Sequence, residues 1–342
     1  MEHVAIDLGS SKSQVCVRAP SGEVLEESPM ATASLAAYLS RRPRSRVVLE
    51  TCAESFKIAD AALKAGHEVR VVAATLVRQL GVGQRGIKTD KRDARALSEA
   101  SCRIDLPSVH IRSLWAREQL TRIGMRHAMV TARTQLVNAV RGWMRTELTT
   151  VRGTTAHFPT NVRNLLLARP EGIPMHVEQL LKSIETLSEQ IAAADAELKR
   201  LAKEHEVCRR LMTVPGVGPV TSMAFAAVVD DVQRFTTAAS LESYVGLTPG
   251  EHSSSYTIRR TGITKAGPAL LRHALTQASL TLRRVRPLDP ACQWAARVKA
   301  RRGGGIATVA LARKLAGILW AMWRNGTTYE PRRAAEVPTQ AS

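Results

Sequence analysis

Four acids in this chain have the types and positions that two-metal phosphoryl chemistry needs. Asp7 closes the apolar run Val4, Ala5, Ile6, and Glu50 closes Val47, Val48, Leu49, so each carboxylate stands where a strand ends. Asp90 and Asp93 lie three residues apart in KTDKRDARAL (residues 88–97), which puts both on one face of a helix that starts near Thr89. Two divalent ions held close together need several hard oxygen ligands, and acids can converge in that way only from different elements. Taken alone, Asp90 is equally well explained as an acid favoured by the helix dipole. Glu54, four residues past Glu50, is the nearest competitor, but it opens a helix that would have to tilt inward. The ordered set, rather than any single acid, points to a metal site.

A second group could supply a nucleophile. Ser253, Ser254 and Ser255 lie in GLTPGEHSSSYTIRRTGITKAGP (residues 246–268). A serine hydroxyl attacks poorly unless nearby charge eases formation of its alkoxide and stabilises the phosphorane; Arg259, Arg260, Lys265 and Arg272 are within sequence reach to do that. Composition alone reads the same serines as a polar loop.

Nucleic-acid contact is written in the charge. The formal net charge is +19, and the basic residues are spread over the whole chain, a field that attracts polyanions at long range. Arg117, Arg122, Arg126, Arg133, Arg141 and Arg145 cover more than one face of a predicted helix with few acids between them. Gly216 and Gly218, in PGVGP, suit two roles equally: backbone N–H groups gripping a phosphate, or a tight turn between core helices. Aromatic residues make up only 4%, so binding is expected to be electrostatic and salt-dependent rather than built on stacking.

The elements that must position these groups follow from periodicity. Strand patterns at VAID, KSQVCVRA and GEVLEES precede alternating helix and strand signals through SRVVLE and EVRVVAA, an α/β order of the ribonuclease-H-like kind over residues 1–111. Residues 112–207 read as a helical hairpin or coiled coil. Met125, Met129, Ala132, Leu136, Ala139 and Trp143 give one three-four seam. Val177, Leu180, Ile184, Leu187, Ile191, Ala194, Leu198 and Leu201 give another, with Pro159, Pro170 and Pro174 breaking the chain between them. Residues 208–328 read as a mostly helical domain carrying the helix-hairpin-helix-like turn and the serines, and 329–342 as a disordered tail.

The acids in this order, the KTDKRDARAL string and the GLTP…SSSYT…ITKAG segment together resemble the DEDD insertion-sequence transposases, also called bridge recombinases, over nearly the whole chain. The resemblance implies a RuvC-like N-terminal domain whose Asp7, Glu50, Asp90 and Asp93 hold two Mg2+ ions. It also implies a C-terminal domain whose serine attacks a DNA phosphodiester. Where the family has a Ser-Gly step this chain has Ser254-Ser255; Ser254 aligns best, with Ser253 and Ser255 as alternatives. Donor and target DNA, a structured guide RNA and a dimer or tetramer are further implications.

Other readings fit less of the chain. VAIDLGSSKSQ is similar to the phosphate loop of actin-like ATPases and sugar kinases, but a second Asp-Gly loop is missing: Asp230-Asp231 runs into Val232. A non-catalytic RNA- or DNA-binding protein leaves the acids unexplained, and a RuvC-like endonuclease using metal-activated water leaves the serines structural. The N-terminus lacks a signal-peptide pattern, and the apolar stretch from Gly305 to Trp323 carries Arg313 and Lys314 at its centre, so a buried helix and a cytoplasmic, nucleoid-associated protein without a membrane anchor are expected. Cys16, Cys52, Cys102, Cys208 and Cys292 are scattered, with no zinc-binding spacing, and read as reduced thiols.

Overall fold

The computed structural model describes residues 1–79, 90–168, 170–254 and 257–331. The side chains at 78, 79, 90, 252–254 and 257–260 fall outside that description, as do the motif residues Lys88, Thr89 and Ser255 and the expected tail from 332 onward. The chain forms two compact units, residues 1–112 and 113–342.

In the first unit, β1 (His3–Asp7), β2 (Lys12–Arg18) and β3 (Val24–Ala31) form an antiparallel meander. After α1 (Leu35–Ser40), β4 (Arg46–Glu50) pairs parallel with β1; after α2 (Ser55–Lys64), β5 (Glu68–Val72) pairs parallel with β4. The order is β3-β2-β1-β4-β5, a ribonuclease-H-like sheet. Strand alternation splits its core into two faces. Val4, Ile6, Val47, Leu49 and Val71 pack with Leu35, Leu39, Ile58 and Ala62 of α1 and α2. Ala5, Val48 and Val72 pack with Val77 of α3 (Ala74–Gln79) and Leu97 of α4 (Asp90–Arg103).

The second unit opens with α5 (Leu114–Thr146), α6 (Phe158–Leu167) and α7 (Met175–Glu204), and α5 packs along α7. Ser113 starts α5 by accepting from the Ala116 N–H, and its own N–H and hydroxyl donate to Asp230, which holds a positive φ of 60° at the end of a later helix. The seam differs from the one expected for α5. Its inward row is Gln119, Ile123, Arg126, Val130, Arg133, Val137, Val140 and Met144, a three-four alternation one residue later than the row through Met125, which is itself exposed. On α7, Val177, Ile184, Ile191 and Leu198 are buried as expected, but the second row runs through Leu181 and Ala202, with Ser188 and Asp195 between, rather than through Leu180 and Leu201. The sequence pattern favoured apolar residues at every seam position, whereas the fold places arginines there.

After α8 (Glu206–Leu211), α9 (Pro219–Val229) is the core of the unit: every residue from Thr221 to Val229 is buried. α5, α7, α8 and α11 (Ala269–Val285) pack on it, α10 (Ala238–Tyr244), α11 and α12 (Pro290–Arg302) pack on α13 (Gly304–Asn325), and a two-stranded ribbon, β6 (Pro249–Ser254) with β7 (Thr257–Ile263), separates α10 from α11. The apolar stretch near the C-terminus is α13, a helix long and apolar enough to cross a membrane; here Leu311, Leu315 and Leu319 enter the core, Arg313 pairs with Glu242, and Lys314 lies over the Trp294 ring. All five cysteines are free thiols, and burial pushes Cys208 up to about 12 and Cys292 to about 11. Tyr329, where the tail was expected to begin, is held: its N–H donates to Thr213 and its hydroxyl to Asp289.

Candidate active site

Asp7 and Glu50 end neighbouring parallel strands. The register pairs Ile6 with Leu49, so the next residues along are Asp7 and Glu50, side by side at a strand spacing of about 4.8 Å. Alternation puts Asp7 on the face of Ala5 and Glu50 on the face of Val48, the face covered by α4. On α4 the inward stripe is Asp93, Ala94, Leu97, Ser98 and Ser101, with Asp93 only 6% exposed. Ser101 sits beside the start of β1, where its hydroxyl meets His3 Nδ1 at 2.7 Å. Eight helical residues back toward Asp93 cover about 12 Å, and four strand residues from His3 to Asp7 about 13 Å. The helix therefore runs against β1 and brings Asp93 level with the strand end that carries Asp7.

Two devices fix this corner. The turn after Asp7 is pinned: Thr32 Oγ1 donates to the Gly9 carbonyl (2.7 Å), the Gly9 N–H donates to Ser13 Oγ (3.3 Å), and the Ser13 and Thr32 hydroxyls meet at 2.8 Å. A Cβ on Gly9 would collide with the Lys12 carbonyl, so only glycine fits there. The first turns of α4 are anchored by Glu27 of β3, which binds Lys91 at 2.9 Å and takes a two-pronged grip from Arg95. Partial burial would raise Glu27, but the hydrogen bonds from Arg95 and Lys91 hold it below the usual carboxylate range. Sequence reading missed Thr32 and Glu27, because nothing local marks a residue whose partner is many positions away.

Among the described residues, no group of three or more His, Cys, Asp or Glu side chains is close enough to hold a metal ion. Asp7, Glu50 and Asp93 are thus neighbours in the fold without forming a closed ligand set, and the Asp90 side chain lies outside the described residues. All of their donors are carboxylate oxygens, the chemistry that suits a hard divalent cation. Glu54 sits half-buried at the start of α2; burial first, and then the Glu54 carboxyl, raises the nearby Cys52 thiol.

The serines belong to the ribbon. Ser254 pairs in register with Thr257, and Ser253 with Ile258. The base of the ribbon is interlocked: Gly246 (φ 73°) and Gly267 (φ 71°) cross so closely that a Cβ on either would collide with the backbone of Ala266 or Tyr244. Arg272 clamps the crossing, its Nη1 donating to the carbonyls of Val245 (3.0 Å), Ala266 (2.7 Å) and Gly267 (3.0 Å). Lys265 is exposed at φ 55°, and its N–H donates to the Gly246 carbonyl. The side chains of Arg259 and Arg260, like that of Ser254, fall outside the described residues. GLTPG and ITKAG are therefore two halves of one joint, which carries the serine strand.

The other expected nucleic-acid contacts are placed differently. Arg126 faces α7 and grips Asp195 through Nε (2.8 Å) and Nη2 (3.2 Å), while Arg133 donates to Ser188 at 3.3 Å. Their guanidiniums are engaged inside the hairpin rather than turned outward. Gly216 (φ 90°) packs on the backbone of α11, where a Cβ would stand 2.7 Å from the Ala278 carbonyl, so the PGVGP turn is built for close helix packing at that residue; Gly218 has open space beside it at the start of α9.

A ribonuclease-H-like sheet joined to long helices and a mostly helical C-terminal region is the build expected of a DEDD transposase. Residues 4–147 match the DEDD transposase family of the IS110 type, and residues 208–292 match the family described as Transposase IS116/IS110/IS902. The transposase for insertion sequence element IS1111A of Coxiella burnetii is 32% identical over 249 residues, 71% of this chain and 68% of that protein. The transposase for insertion sequence element IS1328 of Yersinia enterocolitica is 26% identical over 337 residues, 95% of this chain and 98% of its own. The chain belongs to the IS110 family of insertion-sequence transposases.

Proposed function

We propose that this chain cuts and rejoins DNA for an insertion sequence, with Asp7, Glu50, Asp90 and Asp93 holding Mg2+. The observation that carries this reading is the strand register that sets Asp7 and Glu50 side by side beneath the helix face bearing Asp93. Gathering like charges is costly unless a cation offsets them. Bound there, Mg2+ supplies stabilisation for charge developing on the phosphate and for the attacking and leaving oxygens. The chain's own part is to hold the acids on a pinned corner and to present DNA through its +19 charge. In a plasmid strand-exchange assay, Asp7→Asn and Asp93→Asn each abolish product while DNA binding persists; magnesium-dependent activity retained in both variants overturns the assignment.

For the attacking group, the proposal assigns Ser254. Its oxygen bonds to phosphorus, the bond from phosphorus to the departing DNA oxygen breaks, and the serine proton ends on that DNA hydroxyl; the reverse exchange with a second strand rejoins the DNA without an energy source. A second reading, metal-activated water acting as in a RuvC-like endonuclease, is favoured by the fact that the described acids are all supplied by one unit. Ser254→Ala separates the two: lost strand exchange supports the serine, and unchanged exchange supports water. The proposal includes a structured guide RNA, since the basic chain offers no evident base-reading element, together with a dimer or tetramer acting on the cytoplasmic nucleoid. Sequencing the RNA that co-purifies with the protein tests the guide.

A further inference from the structure

Beside the ribbon that carries Ser254 lies a cleft of about 860 Å³ between the ribbon base and the helices α12 and α13. We infer that this cleft seats an unpaired nucleotide of the bound nucleic acid, its base on the apolar floor and its phosphates on the arginine rim; the inference rests on the DNA-acting reading above.

Three observations carry it. The floor is apolar and contains an aromatic residue: Leu247, Ile263, Val298 and Val309 surround Trp294, whose ring has the Lys314 ammonium 4.8 Å from its centre. The rim is cationic. Arg301 and Arg302 are exposed at its edge and form no ion pair among the described residues, whereas Arg313 is matched by Glu242, the one acid among the described lining residues. Ile306, 54% exposed, completes the floor from the start of α13, where the neighbouring Gly305 leaves open space and so keeps the mouth clear.

A flat apolar ring joined to an anion matches this combination, since base contact with an apolar or aromatic surface is sequence-tolerant and phosphate contact is electrostatic. A paired base is shielded by its stack, so a strand must be open to enter. One wall of the cleft, residues 261–263 with Pro249, belongs to the ribbon itself, and five strand residues from Pro249 to Ser254 cover about 17 Å. An opened strand held here would lie within a few nucleotides of the serine. An apolar peptide from a second copy is the rival occupant, but two exposed arginines at the rim add little for such a guest and much for a phosphate.

The test uses the full-length protein, a twelve-residue oligothymidine and a twelve-base-pair duplex, with binding followed by fluorescence anisotropy across a salt series. The double variant Arg301→Ala/Arg302→Ala is expected to lose about tenfold in affinity for the single strand and under twofold for the duplex. Its salt slope on the single strand should fall by about 1.4, the value for two phosphate contacts. Ile306→Ser, which removes floor without changing charge, is expected to cost about threefold on the single strand only. All three side chains are exposed, and an unchanged melting curve checks that the fold is kept. Equal losses on both probes, or none, overturn the cleft assignment, as does a change of oligomeric state by light scattering with single-strand binding intact, which points to the protein occupant. A wild-type protein that binds neither probe defeats the DNA-acting reading instead, so the two failures are distinct.

Discussion

The inward stripe of α4 and the inward seam of α5 both place a charged residue where a helix normally buries an apolar one, and they do so to opposite ends. On α5 the intruder is Arg126, and the fold answers it across the seam with Asp195. On α4 it is Asp93, and the fold brings it level with a strand end whose side chains, Asp7 and Glu50, carry the same sign. Opposite charges in a seam define which residue faces which, at some cost in stability. Like charges at a sheet end define nothing unless a cation joins them. On the proposed function, the contrast separates a residue placed for register from residues placed for chemistry.

Neutralising one acid gives the largest contrast in function. Asp93→Asn is expected to cut strand exchange at least about a thousandfold, the scale of losing several kcal/mol of metal-assisted stabilisation at about 1.4 kcal/mol per tenfold. Melting temperature, followed beside activity, reports any structural share of the Asp93 side chain. An equivalent loss of stability with activity per folded molecule unchanged would place Asp93 with Arg126, as a structural charge.

The joint under the serine ribbon comes next. Gly267→Ala forces a Cβ into the Tyr244 carbonyl at a positive φ and is expected to cost about 3 kcal/mol, combining the left-handed penalty with overpacking. Gly22→Ala, also at positive φ but with open space around it, should cost about 1–2 kcal/mol. Equal destabilisation of the two variants in urea melts would show that the interlock adds nothing to the backbone strain.

In the hairpin, Asp195→Ala leaves Arg126 facing an apolar seam. Because both side chains are partly solvated, the expected cost is about 1–2 kcal/mol rather than the larger penalty of a fully buried pair. Arg126→Leu/Asp195→Leu should recover that stability and weaken register control, seen as extra oligomeric species by light scattering. The same register sets Val137 level with Ile184 and Val140 with Leu181, residues that share one core cluster.

How much of this was legible depends on where each residue's partner lies. The strand ends at Asp7 and Glu50 could be read because an apolar run that stops at an acid is a local signal. The α5 row could not, because a pattern search skips arginines, and only Ser188 and Asp195, some fifty to seventy residues away, explain why Arg126 and Arg133 belong on the inside. Arg272 is similar: as sequence it is one more cation near the serines, while in the fold three backbone carbonyls from two segments converge on its Nη1. The glycines of GLTPG and ITKAG were visible as motifs; their crossing was not, since it depends on two turns meeting in space.

The smallest effect concerns pH and adds a third kind of half-buried polar residue, one kept neutral. His205 stacks on Trp115 with ring centres 4.4 Å apart and accepts the Cys208 N–H at the start of α8, and burial lowers its pKa below 6.5. Above about pH 6.5 the ring is neutral in both folded and unfolded chains, so it adds no pH dependence there. As pH falls below that value the unfolded chain takes up a proton that the folded chain resists, and stability drops until the lowered folded pKa is passed. Between pH 7.5 and 5.5 the second unit should therefore lose stability through this residue. His205→Asn, which keeps a capping acceptor but cannot titrate, should flatten the dependence of urea midpoint on pH over that range. A slope identical to that of the unaltered protein would mean that the drop arises from another group that titrates in this range, such as His3, whose pKa burial also lowers; the carboxylates bound by Arg163, lowered from 4.5, lose their contribution only in more acid solution.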